Sequence, residues 1–334
     1  MAEGAEERRP VVFSGMRPTS RLHVGNLMGA LAQWVRLQEG HRCFYCVVDW
    51  HALTTEYEDP RGLRERTRDV AADYLAAGVD PKRSVVFVQS EVKEHAELHL
   101  LLSMVIPVSW LERVPTYKDQ VAQLAEAGKD VATYGFLGYP VLQAADILAH
   151  KGELVPVGKD QLPHIELTRE VARRFNHLYG PVFPEPQTVL SEVDTLPGVD
   201  GRKMSKSYGN DIPMTAEPEE IRRKVDMMVT DPARARRTDP GHPDVCTVYA
   251  YRRLFAAETV DGIGEECRRA GIGCVDCKAG LAEAMTAVLE PIRERKARLE
   301  ADPGLLDDVL ADGAARARES ARATLDQVRA AVGV

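Results

Sequence analysis

The sequence is short of several things, and each shortage excludes a class of protein. No apolar run approaches the roughly 18 residues of a membrane-spanning helix. Basic residues are not in excess. Lys and Arg number 43 against 51 Asp and Glu, for a net charge of −8. This argues against a nonspecific polyanion binder but leaves room for a nucleic-acid partner held by a local basic face. Met1 to Pro10 is polar and charged, with no apolar stretch behind it to serve as a signal peptide, so the cytoplasm is the expected location. There are only six cysteines, and in a reducing cytosol disulfides are not the expected use for them. No internal repeat or low-complexity tract interrupts the chain. What remains is an ordinary globular composition, 44% hydrophobic and 28% charged. At 334 residues it is long enough for one large domain or two ordinary ones.

Strand and helix patterns alternate through the first two thirds. Residues 11–15 read as a strand, and 24–39 as an amphipathic helix stopped by Gly40. Residues 43–49 are a near-continuous apolar run, as in a strand buried on both faces. A helix beginning at Asp59-Pro60 ends near Gly78, and 85–90 is another buried strand. Helical patterns cover 94–105, 141–150 and 164–178. The segment 154–157 reads as a short strand, weakened by Pro156, which cannot donate to a ladder. Such alternation predicts a parallel α/β sheet with ligands at the carboxyl ends of its strands. After about residue 212 only helical periodicity is left, over 216–229, 248–258, 279–300 and 314–332. The expected organisation is a catalytic α/β domain over 1–195, a mobile Pro/Gly/Asp-rich loop over 196–213, and an all-helical region over 214–334.

Four segments carry chemistry. His23-Val24-Gly25-Asn26 follows the first strand and opens a helix. Gly25 lets a purine approach the backbone, while His23, Asn26 and the helix N-terminus offer donors to phosphate or ribose. Read alone, it is equally an ordinary strand–turn–helix. Lys203-Met204-Ser205-Lys206-Ser207 lies in a loop flanked by Gly201 and Gly209. Adenylyl transfer is mostly positioning and charge neutralisation, which Lys203 and Lys206 can supply, with Ser205 and Ser207 as donors. Gly158-Lys159-Asp160-Gln161 sits at a strand exit, where Asp160 can accept from a ribose hydroxyl and Gln161 can hold an amine or carboxylate. Finally, Tyr139, Gln143 and Asp146 recur at helical spacing, putting three polar groups on one face of an apolar helix. A buried Asp there needs a partner, either substrate or structure.

The pair of motifs about 180 residues apart resembles the two signatures of class I aminoacyl-tRNA synthetases. Further segments narrow the resemblance to the bacterial tryptophanyl branch. They are Ser14 to Thr19, Val48-Asp49-Trp50-His51-Ala52-Leu53-Thr54, Gln89-Ser90, Tyr139 to Leu148, Val155 to Gln161, and His164-Ile165-Glu166-Leu167-Thr168. The resemblance implies a Rossmann-like catalytic domain with a C-terminal helical anticodon-binding domain, usually as a homodimer. By it, Asp146 accepts the indole N–H of tryptophan, and Tyr139, His51, Gln161, Phe13 and Gln143 line the amino-acid pocket. Arg17, Pro18, Thr19, Gly25, Asn26, Gly158, Lys159 and Asp160 border ATP, together with Lys203, Met204, Ser205, Lys206 and Ser207. His23, Asn26, Lys203 and Lys206 are the candidate catalytic groups. The implied reaction forms tryptophanyl-adenylate, with Mg²⁺ accompanying the phosphates, and then charges tRNA(Trp). Arg17 and Gln143 depart from the Gln and Met that many bacterial members carry at these positions. Rival readings are a tyrosyl-tRNA synthetase, a non-charging paralogue that binds tryptophan or tRNA, and a general nucleotidyltransferase. No DNA or membrane partner is expected.

Cys246, Cys267, Cys274 and Cys277 group within the helical region. Four thiolates so spaced suit tetrahedral Zn²⁺ or a [4Fe–4S] cube, and ligand number alone does not separate them. The resemblance, to a subset of tryptophanyl-tRNA synthetases holding an iron–sulfur cluster, favours [4Fe–4S]. Cys43 and Cys46 lie three apart in a strand, so they point to opposite faces and read as core. His95 and His99 imitate a zinc-protease helix, but the Glu does not directly follow the first His, so no metal is expected there. The run Arg234-Ala235-Arg236-Arg237 reads equally as a phosphate contact or a solvated loop.

Overall fold

A computed structural model describes residues 9–114, 121, 131–191, 193, 196–204 and 208–334. Ser205, Lys206 and Ser207 of the second motif lie outside the described residues. Five parallel strands form one sheet in the order β3-β2-β1-β4-β5, with β1 Val11–Met16, β2 Arg42–Val47, β3 Ser84–Val88, β4 Leu154–Val157 and β5 Gln187–Leu190. This is a Rossmann-like, doubly wound order, whose direction reverses between β1 and β4 and opens a crevice there. Strand β5 escaped the sequence reading because it is short and only half-buried. Pro156 pairs in register with Val189 of β5 despite lacking an N–H.

Alternation along the strands sends neighbours to opposite sheet faces. Val12, Cys43, Tyr45, Val47 and Val86 enter one core, and Phe13, Phe44, Cys46, Val85 and Phe87 the other. Cys43 and Cys46 are therefore core residues on opposite faces. Helix α1 runs on from β1 as Val24–Asn26, a π-type segment Leu27–Leu31 and Ala32–Leu37. After β2 come α2 Asp49–Glu56 and α3 Leu63–Ala77, and after β3 a 3₁₀ turn Gln89–Glu91, α4 Glu94–Ser103 and α5 Val108–Glu112. Helix α6, Tyr134–Ala149, begins seven residues before the expected 141. The Thr133 hydroxyl caps it by accepting from the Phe136 N–H at 3.2 Å, and Gly135, Gly138 and Pro140 hide its first turns from a periodicity reading. Helix α7, Leu162–Tyr179, follows β4.

Among the described residues no strand follows 212. The rest is helical: α8 Pro218–Asp226, α9 Thr247–Phe255, α10 Val260–Arg268, α11 Cys274–Ala301 and α12 Pro303–Val332. This region does not stand apart from the sheet. Lys296 of α11 is buried and donates to Asp69 at 2.5 Å and Asp73 at 2.8 Å on α3. Burial pushes the Asp73 carboxyl up to about 6, against the opposing pull of Lys296. Helix α12 lies back across β3 so closely that a Cβ at Gly313 would run into the Val86 carbonyl oxygen. Its Ala317, Ala321, Leu325 and Val328 complete the core that holds Phe44 and Phe87.

Candidate active site

At the carboxyl ends of β1 and β4 lies a cavity of about 510 Å³. Its floor is the β1 exit, Phe13 to Arg17, and the β4 exit, Val155 to Gly158; α1, α2 and α6 close the sides. Phe13, Arg17, Thr19, His23, Asn26, His51, Tyr139, Gln143, Asp146, Gly158 and Gln161 all face it, so eleven expected site residues converge. Pro18 is buried beside it, its carbonyl accepting from Arg66 Nε at 3.1 Å. Lys159 and Asp160 are exposed on a 3₁₀ turn just outside, where Asp160 accepts from Gln161 Nε2 at 2.9 Å.

The first motif is a capping box. The Asn26 N–H donates to His23 Nδ1 at 3.3 Å, and the His23 N–H donates to Asn26 Oδ1 at 3.0 Å. Burial lowers the pKa of His23, so the ring is neutral near pH 7 and carries its proton on Nε2. The box thus fixes one imidazole N–H and the Asn26 amide as donors beside the helix N-terminus. Gly25 has a packing role as well: a Cβ there would sit 3.0 Å from the His23 ring and 3.4 Å from Met204 Sδ. That contact joins the two motifs in space. The stretch holding the second is sewn to the first by the Val24 N–H donating to the Ile212 carbonyl at 2.9 Å and the Met214 N–H to Leu22 at 3.1 Å. Lys203 is exposed, its backbone bridged to Pro197, while Met204 is buried. Gly201 and Gly209 have φ of +80° and +63°, so they serve left-handed turns on either side of the motif.

Across the cavity, Asp146 is 1% exposed and fully engaged by the protein. Oδ2 accepts from His51 Nε2 at 2.9 Å, Oδ1 from His95 Nδ1 at 2.8 Å, and Gln89 Nε2 lies 2.8 and 2.9 Å from the two oxygens. Burial opposes charge on this carboxyl, but the hydrogen bonds from His51 and His95 outweigh it and hold Asp146 well below the usual carboxylate range. Tyr139 Oη is 2.9 Å from His164 Nε2, and burial pushes His164 down to about 4. Sequence reasoning gave no role to Gln89, His95, His150 and His164 in this site. The one local signal was the four-residue spacing of Asp146 and His150 on one helix face.

The four clustered cysteines are free and partly buried, and lie in a second neighbourhood. The Cys267 thiol is raised by burial and also feels Cys246 and Cys274, and Cys277 is raised likewise beside Cys246 and Cys267. Arg234 Nη1 is 3.8 Å from Cys267 Sγ, and Arg252 Nη2 donates to the Cys277 carbonyl at 2.7 Å. A Cβ at Gly241 would lie 2.5 Å from Cys267 Sγ. Yet among the described residues no three His, Cys, Asp or Glu side chains are arranged to hold a metal ion. The metal centre expected at Cys246, Cys267, Cys274 and Cys277 is thus not shown among the described residues, although Cys267 and Cys277 each feel the charge of neighbouring thiols. Arg234 and Arg237 fold onto this loop, donating to the carbonyls of Ile272, Ala270 and Gly271. No described helix is long and apolar enough to cross a membrane.

Residues 5–290 match the family model of class I tRNA synthetases for tryptophan and tyrosine. A tryptophan–tRNA ligase of Thermotoga maritima is 55% identical over 326 residues, covering 97% of this chain and 99% of that protein. A tryptophanyl-tRNA synthetase of Campylobacter jejuni, solved with ADP and tryptophan, superposes with a TM-score of 0.87 at 34% identity, covering 97% of this chain and all of that one. A tyrosyl-tRNA synthetase of Archaeoglobus fulgidus shares the fold, with a TM-score of 0.68 at 21% identity over 87% and 91% of the two chains.

Proposed function

The chain belongs to the class I tRNA synthetases for tryptophan and tyrosine, and from that membership we infer that it is a tryptophan–tRNA ligase. It activates tryptophan with ATP. A carboxylate oxygen of the amino acid bonds to the α-phosphorus as the bond to the pyrophosphate oxygen breaks, and the electron pair leaves with pyrophosphate. The ribose hydroxyl at the tRNA 3′ end then bonds to the carbonyl carbon, the bond to AMP breaks, and the hydroxyl proton is released. One observation carries this reading at the level of the site. A single cavity joins a helix N-terminus with fixed donors to a pocket ending in an ionised acid.

On this reading ATP lies along the β1 exit, bordered by Arg17, Pro18, Thr19, Gly25, Asn26, Gly158, Lys159 and Asp160. His23 Nε2–H and the Asn26 amide donate to its phosphates, and the positive end of α1 favours their charge. Lys203 and Lys206, with Met204, Ser205 and Ser207, neutralise charge that grows on the departing pyrophosphate. Tryptophan enters between Phe13, Tyr139, Gln143 and Gln161, with His51 at its side and its indole N–H donating to Asp146. An acid built to accept an N–H is left unpaired by phenylalanine, which such sites reject by about 10⁴-fold or more. Tyrosine is the harder competitor, since its hydroxyl also donates, and pocket shape must reject it.

Mg²⁺ is expected with the phosphates. Among the described cavity-lining residues Asp146 is the sole carboxylate and its oxygens are already engaged, so this described lining presents no acidic donor set for the ion, and no step is routed through it. The four cysteines suit a [4Fe–4S] cluster, with zinc the alternative: four free thiols lie within electrostatic reach of one another, with two guanidinium groups to offset thiolate charge. Bound there, the cluster would shape the helical surface toward tRNA(Trp). The enzyme would work in the cytoplasm as a homodimer, with residues 214–334 as its anticodon-binding region. The test is ATP–pyrophosphate exchange and tRNA charging with tryptophan and with tyrosine. Exchange driven by tyrosine, or exchange without charging, would reject the reading in favour of a tyrosyl enzyme or a non-charging paralogue.

A further inference from the structure

Behind Asp146 the hydrogen bonds continue into the core. His95 Nε2 is 2.9 Å from His150 Nε2, and both rings are buried, at 0% and 2% exposure. His150 stacks on Phe44 at 4.3 Å and Phe13 at 5.6 Å, with Phe87 edge-on at 5.5 Å. Its Nδ1 has no partner in this aromatic box. Proton positions follow from chemistry. His95 Nδ1 faces a carboxylate and must carry a hydrogen. Of two nitrogens 2.9 Å apart, one must donate, and burial among phenyl rings keeps His150 neutral. A hydrogen on His150 Nδ1 would be a buried donor without an acceptor, so the hydrogen sits on Nε2 and points at His95.

We propose that His95 and His150 are positioning residues for tryptophan selection: His150 Nε2–H donates to His95 Nε2, His95 Nδ1–H donates to Asp146, and this one-way chain keeps Asp146 an acceptor aimed at the substrate N–H. The proposal rests on the reading that Asp146 receives the indole. The two Asp146 oxygens carry four N–H contacts, one from His51, one from His95 and two from the Gln89 amide, so an indole N–H would take the place of one of the Gln89 contacts. With its Nε2 already accepting, His95 cannot pick up a second proton without breaking the bond to His150. The titratable and charged groups that face the chain are His51 from α2, Cys46 and Arg42 from β2, and His99 from α4; His164 of α7 acts one step away, through Tyr139.

The test is the tryptophan KM and kcat in pyrophosphate exchange, measured with the full chain against pH. In His150→Phe the donor is gone and His95 Nε2 is open to protonation, so an imidazolium would pair with Asp146 and weaken its pull on the indole. The expected result is a KM about 10-fold above wild type near pH 6, within about 2-fold near pH 8, and kcat within about 2-fold throughout. His150→Gln restores an N–H donor and should restore the wild-type profile. A KM raised equally at every pH in both variants, or unchanged in both, overturns the proposal and leaves His150 a space-filling residue. If neither variant folds, ¹⁵N resonances of imidazole-labelled wild-type protein decide: a hydrogen on His150 Nε2 supports the chain, and one on Nδ1 overturns it. Asp146→Asn separates the two levels. A wild-type tryptophan KM in that variant refutes the indole site itself, whatever the histidine variants do.

Discussion

Two clusters of polar side chains in this molecule behave in opposite ways. The one around Asp146 closes on itself: a buried carboxylate is met by His51, Gln89 and His95 from three different elements. The one around Cys246, Cys267, Cys274 and Cys277 gathers thiols that do not bond to one another and sets arginines beside them. Removing water from a charge is costly, so a buried acid persists only where the fold itself supplies donors. Neutral thiols tolerate half-burial without such partners. The first cluster meets its polar groups from within the fold, whereas the second leaves its thiols unbonded to one another.

The largest expected effect comes from Asp146→Ala, which leaves three donors facing a void. Tryptophan-dependent exchange should fall by about 10³-fold in kcat/KM, and unfolding free energy by about 3–5 kcal/mol in a denaturant titration. A stable variant with near-normal exchange would show that the cluster does not depend on its acid. Next is Lys206→Ala, expected to slow kcat in exchange by about 100-fold with a smaller change in tryptophan KM. An unchanged kcat would remove that lysine from the chemistry of the cleft.

A Cys274→Ser/Cys277→Ser variant addresses the second cluster. Iron and sulfide analysis should find about four of each per wild-type chain and almost none in the variant. Charging of tRNA should fall by about 10-fold while exchange stays within about 2-fold. One zinc per chain would reverse the cluster assignment, and a matched loss of exchange would merge the two regions into one functional unit. The smallest effect at neutral pH belongs to His164→Gln. Burial depresses His164 from 6.5 to about 4, so the unfolded chain takes up a proton between these values before the folded one does. Stability from this group is complete above 6.5 and lost as pH falls toward 4. The wild type should therefore lose about 2 kcal/mol more than the variant over that window, and parallel melting curves would discard this account.

Much of this was legible along the chain. The strand at Val11, the turn into His23–Asn26 and the strand at Leu154 are local patterns, set by β-propensity, a capping pair and turn residues. Tyr139, Gln143 and Asp146 share a face because a helix repeats every 3.6 residues, and all three reach the cavity. Strand β5 was not legible, since only two of its four residues are apolar and its pairing partner lies over thirty residues away. Nor was the return of α12 to β3, which depends on Gly313 meeting Val86 more than two hundred residues earlier.

By its order of residues alone, this chain determined its alternating strands and helices, its capped turn at His23–Asn26, its lysine-bearing stretch and the spacing of its thiols. All of these are written within a few turns of backbone. Tertiary structure alone decided that Met204 packs against Gly25, that Asp146 is ringed by His51, Gln89 and His95, and that Arg234 and Arg252 lie beside Cys267 and Cys277. The physical reason is that propensity and periodicity act over a few residues. The partner of a buried charge is chosen by which distant surfaces the folded core brings within about 3 Å.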